Sequence, residues 1–284
     1  MNFIYMGRGG LLTSIILKEL ANNNIIPSQV LIEKITTKYP NLTEIVCKKF
    51  KIKYSFLETV NSVKTIKTIK KYNPDFVLVA SLGKILKKDI LDASTFFNVH
   101  MGVLPHYKGA VTNFWRIKQG HDIFGATIHI MTEKIDSGNV LNIMEKDFSR
   151  VINGFEFVLH NYEMAAELVL NTFKKSLFLK TETYKVPIKK GKYYPKFESS
   201  DFEINIFDDA KKNYKIINRI QFYGTPFYVL DNRKYYIKHA SLIFSGNHHL
   251  KINTIKNLDE QTKLIFTNQG ILKVKLQSND FKRT

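Results

Sequence analysis

The sequence predicts an α/β protein: an open, mostly parallel sheet with helices on both faces, followed by a small β-rich domain. Three observations carry this. Over the first 150 residues short apolar runs alternate with amphipathic stretches, the pattern of strands buried on both faces and separated by helices. At 189–201 the chain changes to KKGKYYPKFESSD, which has no hydrophobic period and reads as a linker. Beyond it, short apolar runs recur at close spacing, as in a small barrel or sandwich. The expected organisation is a first domain over 1–188, a linker over 189–200 and a second domain over 201–284. With 284 residues, 44% of them apolar, the chain is long enough to give each domain its own core.

Taken in order, NFIYM at 2–6 is a buried strand, and GRGG at 7–10 is a backbone-permissive turn into a helix over 11–22. VLIE at 30–33 is a second strand, 42–50 a helix and KYSFL at 53–57 a third strand. A lysine-faced helix over 60–72 stops at Pro74, whose ring cannot continue a helix. DFVLVAS at 75–81 is the most apolar strand of all. A Rossmann-like sheet of this kind takes its ligands at the carboxyl ends of the strands, where 7–10, 81–84 and the segment after Val99 fall. GATIHIM at 125–131 and NVLNIME at 139–145 follow as two strands around a turn, then an amphipathic helix over 154–175. After the linker come a helix over 210–219 and strands at 227–231, 234–243, 263–268 and 270–277, which predict a small OB-like domain.

Composition excludes several classes. No apolar run approaches the roughly 18 to 20 residues of a membrane span, and Arg8, a glycine cluster and Lys18 interrupt the first 20 residues where a signal peptide needs an apolar stretch. A soluble, cytoplasmic protein with no membrane partner is expected. Cys47 is the single cysteine, so disulfide scaffolds and multi-cysteine zinc sites drop out. The net charge is +18, yet only 6 of the 43 basic residues are Arg. A nucleic-acid reader concentrates Arg, because its planar fork pairs with phosphate and base edges; a dedicated nucleic-acid surface is therefore not favoured.

The chemistry concentrates in residues 96–141. Asn98 and His100 are two apart on an extended segment, so their side chains project to one face at the sheet mouth. Asp136 lies in a D-S-G turn between two strands, from which a carboxylate can reach an imidazole. An amide donor, a histidine and a carboxylate together suit acyl transfer: amide and imidazole hold a developing oxyanion, and the carboxylate sets the histidine's protonation.

In order along the chain, SLGKIL at 81–86, N-V-H at 98–100, L-P-H-Y-K-G at 104–109, G-A-T-I-H at 125–129 and I-D-S-G-N-V-L at 135–141 resemble the folate-dependent formyltransferases. That family includes methionyl-tRNA formyltransferase, glycinamide ribonucleotide transformylase and the nucleotide-sugar N-formyltransferases. K-Y-Y-P-K at 192–196 and I-N-R-I-Q-F-Y-G-T-P-F at 217–227 extend the resemblance into the linker and second domain of its two-domain members. It implies N10-formyltetrahydrofolate as formyl donor and no metal. It implies Asn98, His100 and Asp136 as the catalytic set, and Ser81, Leu82, Gly83, Lys84, Ile85, Leu86, Lys134 and Ile135 as the folate pocket.

On the acceptor side it points to Arg8 and Gly9, near a helix N-terminus suited to phosphate, with His106, Tyr107, Lys108 and Asn113. Lys108 stands where the family more usually has Arg, which keeps charge without bidentate pairing. Trp115 reads as core. His121, His129, His160, His239, His248 and His249 belong to no partner pattern and read as surface or structural.

The tRNA-acting members carry an inserted basic loop with a P-A-G-R-G-like sequence after the second strand and an A-A-P stretch after the R-G. Here the corresponding stretches read EKITTKYPNLTEI and GAVTNFW. The purine enzyme lacks a second domain. The resemblance therefore favours a nucleotide-linked amino-dideoxysugar acceptor, dTDP-linked, for bacterial surface polysaccharide, with methionyl-tRNA as the alternative. It also allows a homodimer.

Overall fold

The structure, a computed structural model, describes residues 1–34, 40–179 and 191–277. The chain divides into two compact units. The first comprises Met1–Thr112, Ile123–Asp147 and Leu159–Pro195. It begins with β1 (Phe3–Gly7), α1 (Leu11–Asn22), β2 (Gln29–Glu33), α2 (Leu42–Lys49), β3 (Tyr54–Leu57), α3 (Val63–Tyr72) and β4 (Phe76–Ala80). Two of these helices have a clear local cause for where they begin or end. Asn41 caps α2 by accepting the Glu44 N–H at 3.0 Å, and Ser62 caps α3 by accepting that of Thr65 at 3.1 Å. Asn73 closes α3 in the left-handed conformation, one residue ahead of Pro74.

In chain order, and with most of α5 and the start of α6 belonging to the second unit, there follow the short α4 (Lys88–Leu91), β5 (Phe96–His100), β6 (Tyr107–Gly109), α5 (Thr112–Lys118), β7 (Ile123–Ile130), β8 (Val140–Asp147), α6 (Gly154–Lys174) and β9 (Lys192–Tyr194). The main sheet has seven strands in the order β3-β2-β1-β4-β5-β7-β8. β1 to β5 pair in parallel, and β7 and β8 add antiparallel strands at one side. The order reverses between β1 and β4, so their carboxyl ends form the crevice where such sheets bind ligands.

Every residue of β1, β2 and β4 is buried, which requires cover on both faces. One face carries Phe3, Phe76 and Phe97 packed on Phe173 and Phe178; the other carries Ile4, Met6, Val77, Val79 and Phe96 with Leu86 and Ile90. Period-2 alternation along β5 then puts Asn98 and His100 on the Phe96 face. The apolar layer gives way to polar groups at the strand's carboxyl end.

The second unit comprises Asn113–Asp122, Phe148–Val158 and Lys196–Thr284. It contains α7 (Ala210–Ile220), β10 (Phe227–Leu230), β11 (Arg233–Ser245), β12 (Thr254–Asn257), β13 (Thr262–Thr267) and β14 (Gly270–Leu276). The five strands form an antiparallel sheet ordered β10-β11-β14-β13-β12. β14 alternates buried Leu272, Val274 and Leu276 with exposed lysines, and α7 packs on β11 and β14.

Two sequence expectations are altered here. The stretch 189–200, of which 189–190 lie outside the described residues, is not irregular throughout: β9 pairs in parallel with β6, and Ser199–Phe202 is a 3-10 helix. The second unit also takes in 113–122 and 148–158, which sequence order assigns to the first domain. Phe114 explains the first of these, its ring lying 4.8 Å from Phe197, 5.2 Å from Phe202 and 5.7 Å from Tyr223. Non-local packing of this sort leaves no mark in a local hydrophobic pattern.

Arg219 explains the second. It is almost wholly buried and donates to the carbonyls of Val151, Phe148 and His121 and to Asp122 Oδ1 at 3.0 Å. Replacing it with Met removes these four hydrogen bonds at once, although the Phe148 carbonyl keeps the Val151 N–H and Asp122 keeps Lys215, and the expected loss is about 2 to 4 kcal/mol of stability. Urea unfolding followed by circular dichroism measures it; an unchanged midpoint would show that the clamp is dispensable.

Candidate active site

β5 and β7 build the site. Their antiparallel register sets Asn98 opposite His129 and His100 opposite Thr127, so four side chains share one face of adjacent strands. The loop between β7 and β8 returns Asp136 to that face, held by a left-handed φ of +48°, a conformation Asp tolerates better than most residues.

Asp136 is the centre of the cluster. Its Oδ2 accepts the Gly109 N–H at 2.7 Å and lies 3.5 Å from His100 Nδ1, while Oδ1 lies 3.3 Å from His129 Nε2. Each imidazole has its other nitrogen on a backbone carbonyl: His100 Nε2 donates to Tyr107 at 2.5 Å and His129 Nδ1 to Ile130 at 2.9 Å. Asn98 Nδ2 donates to His129 Nε2 at 3.2 Å. Thr127 stiffens the adjoining loop, donating to the Gly102 carbonyl at 2.6 Å and accepting the Leu104 N–H at 3.2 Å. Both imidazoles and the carboxylate are buried, whereas Asn98 is partly exposed.

Opposing forces act on the charges. Burial pushes the His100 imidazole towards its neutral form and outweighs the pull of Asp136 towards the charged one. Burial also opposes the Asp136 carboxylate, but His100, the His129 contact and the Gly109 N–H prevail and hold the carboxyl below the usual range. An ionised acid therefore sits against a histidine that is neutral near pH 7, a pair equipped to take up a proton.

The other expected site residues are distributed as follows. Ser81 to Leu86 form the loop after β4. Ser81 has a φ of +55°, Leu82 and Leu86 join the core, Gly83 and Lys84 are exposed, and the Ile85 carbonyl accepts from Asn61 while its side chain stays exposed. Lys134 and Ile135 are exposed beside Asp136. Gly9 is buried with a φ of +86°, and a Cβ there would strike the Asn41 amide; Arg8 projects from the end of β1 beside it, half exposed.

His106 is exposed and Lys108 buried on β6. Tyr107 contributes its carbonyl, since its ring stacks on Tyr194 at 5.2 Å. Asn113 is buried and belongs to the second unit, as does the half-buried Trp115, whose ring meets Phe114 edge-on. His129, expected as surface or structural, is brought to the centre instead. Its signal in the sequence is its place in the G-A-T-I-H strand, which becomes informative once that strand is paired with β5.

An open α/β sheet with an amide, two imidazoles and a carboxylate gathered on one strand pair has the equipment of an acyl-transferring enzyme. Comparison with known proteins narrows the class. The sequence family described as formyl transferase matches residues 18–148. The methionyl-tRNA formyltransferase of Campylobacter lari is 29% identical over 293 residues, covering 99% of this chain and 93% of that protein. That of Campylobacter jejuni strain RM1221 is 30% identical over 210 residues, covering 74% of this chain and 67% of that protein. Among solved structures, the N-formyltransferase of Helicobacter canadensis in complex with folinic acid and dTDP-3-aminofucose shares the fold, with a TM-score of 0.69, 16% identity and coverage of 98% of this chain and 100% of that one. The chain belongs to the formyltransferase family and is a formyl-transferring enzyme.

Proposed function

We propose that the enzyme moves the formyl group of N10-formyltetrahydrofolate to the amine of a nucleotide-linked amino-dideoxysugar, dTDP-linked, in the cytoplasm. The product would serve bacterial surface polysaccharide such as O-antigen. The observation that carries the acceptor class is the connection from β2 to α2, which takes only residues 34–41 and leaves no length for the basic inserted loop of the tRNA-acting members. A protein of the same fold holds folinic acid and dTDP-3-aminofucose, so the architecture accommodates both ligand classes. No helix among the described residues is long and apolar enough to cross a membrane.

In this reading the donor supplies a formyl carbon already activated on N10. Asn98 Nδ2 keeps a second N–H beyond the one given to His129 and stabilises the oxyanion formed when the acceptor amine attacks; the His100 Nε2–H, held by the Tyr107 carbonyl in the free enzyme, would join it on leaving that carbonyl. Asp136 orients His100, and the pair takes the amine proton and returns it to N10 as the carbon–N10 bond breaks. The exposed apolar side chains of Ile85 and Ile135 suit a flat heterocycle, with the Ser81 to Leu86 backbone offering hydrogen bonds to its edge. Arg8 and the buried-backbone turn at Gly9 would meet the acceptor's phosphates.

A second reading, methionyl-tRNA as acceptor, is favoured by the names of the sequence relatives. A formylation assay scored by mass, run with N10-formyltetrahydrofolate against a panel of nucleotide-linked amino sugars and charged initiator tRNA, separates the two. Formylated sugar and thermal stabilisation by the dTDP-linked acceptor are expected; formylation of methionyl-tRNA with no sugar turned over would replace the reading. Light scattering on the same sample reads whether the enzyme is a homodimer.

A further inference from the structure

Three strand ends meet at a single carboxylate oxygen. β1 lies between β2 and β4 in the sheet, so a side chain at the end of β2 has to reach past β1 to touch the loop after β4. Glu33, the last residue of β2, does so: its Oε2 accepts the Gly83 N–H at 2.9 Å. The same oxygen lies 3.3 Å from Nε of Arg8, the residue that follows β1. A Cβ on Gly83 would fall 2.7 Å from Arg8 Cζ, so the guanidinium lies directly against that glycine.

The pair is asymmetric. The Glu33 side chain is 8% exposed and that of Arg8 46% exposed. The guanidinium is therefore gripped from the protein side and open to a ligand on the other.

We propose that Glu33 is a positioning residue that couples the acceptor-phosphate side of the site, at Arg8, to the donor loop Ser81 to Leu86. The proposal rests on the acceptor class put forward above. Its physical content is that one oxygen serves two loops. An anion engaging the outer edge of Arg8 fixes the guanidinium, and through Oε2 it also fixes the Gly83 amide within the donor loop. The ordering entropy of that loop is then already spent when the folate arrives, and each ligand binds more tightly in the presence of the other. By linkage the gain is the same in both directions.

The test is calorimetric titration of the full-length enzyme with folinic acid and with dTDP, each alone and with the other saturating. Wild-type protein should bind folinic acid about five-fold or more tightly with dTDP bound, the lower end of ordinary coupling. Glu33→Gln keeps an oxygen for the Gly83 N–H but loses the charge that grips Arg8. Folinic acid alone should bind it nearly as well as wild type, while the coupling factor falls to about one. A residue needed merely for folding would weaken both ligands together and leave their ratio intact.

Wild-type coupling retained in Glu33→Gln, or two ligands that bind the wild type independently, overturns the proposal. If Glu33→Gln does not fold, Arg8→Lys carries the test, since it preserves charge for the phosphate but lacks the fork that the carboxylate grips; dTDP binding with coupling lost is the expected result, and coupling preserved overturns it. Wild-type protein that binds folinic acid but no dTDP speaks against the acceptor class instead, and pyrophosphate then replaces dTDP as the anion. Absence of coupling with pyrophosphate as well removes Glu33 from the account.

Discussion

His100→Ala is expected to lower turnover by about 100-fold or more while folinic acid binds close to normally. The magnitude is that of losing one oxyanion donor or one acid–base group. The ring is buried between the Tyr107 carbonyl and Asp136, so its removal also leaves a carbonyl and a carboxylate short of a partner, at a cost of roughly 1 to 3 kcal/mol in stability. His100→Gln separates the two effects, because the amide can donate to the carbonyl but cannot accept and release a proton. Steady-state kinetics on a verified acceptor, with thermal unfolding and folinic acid titration on the same samples, makes the comparison. Near-normal turnover in a folded His100→Ala enzyme would remove His100 from the mechanism.

Asp136→Asn should lower turnover by at least about 100-fold and shift the pH profile as well. The carboxylate raises the proton affinity of His100 against the effect of burial. A neutral amide ends that support, so the imidazole's pKa falls further. Neutral His100 is the form that takes the amine proton, and activity is lost on the acid side as pH drops through the imidazole's pKa. In the variant enzyme that limb therefore moves to lower pH. The acceptor amine contributes a limb of its own, which is the same in both enzymes and cancels in the comparison.

The Gly109 N–H can still donate to the side-chain amide oxygen that the substitution introduces, so the turn at 135–138 and folate binding should persist. An unchanged rate and profile would make Asp136 a turn residue that happens to face a histidine. His129, 3.3 Å from the same carboxylate, would then lose its place in the site too.

Much of this was legible in the sequence because it is encoded locally. The apolar runs ending at Gly7, Glu33 and Ala80, with helices between them, are enough to predict a covered parallel sheet, since each run has to bury both faces. Asn98 and His100 are a local pair by the period of a strand, and the D-S-G of 136–138 is a local turn. Even the carboxyl-end location of the site follows from the alternation of strand and helix. β12, with the sequence TIKN, had too little apolar content to be seen. β9 was hidden in a stretch rich in Lys, Gly and Pro.

Tertiary structure decided everything that depends on which distant segments pair. His129 reaches Asn98 and Asp136 because β7 runs antiparallel to β5 in one particular register; a slip of one residue would turn it to the opposite face. Glu33 touches both Arg8 and Gly83 because β1 lies between β2 and β4, an order that no single segment specifies. Residues 113–122 and 148–158 join the second unit because Phe114 packs on, and the carbonyls of these segments accept from, side chains about 70 to 100 positions away in the chain. The physical reason is common to all three. Periodicity reports how much surface an element must bury and on which side, whereas the identity of the covering partner is settled by the packing and hydrogen bonding of the whole fold.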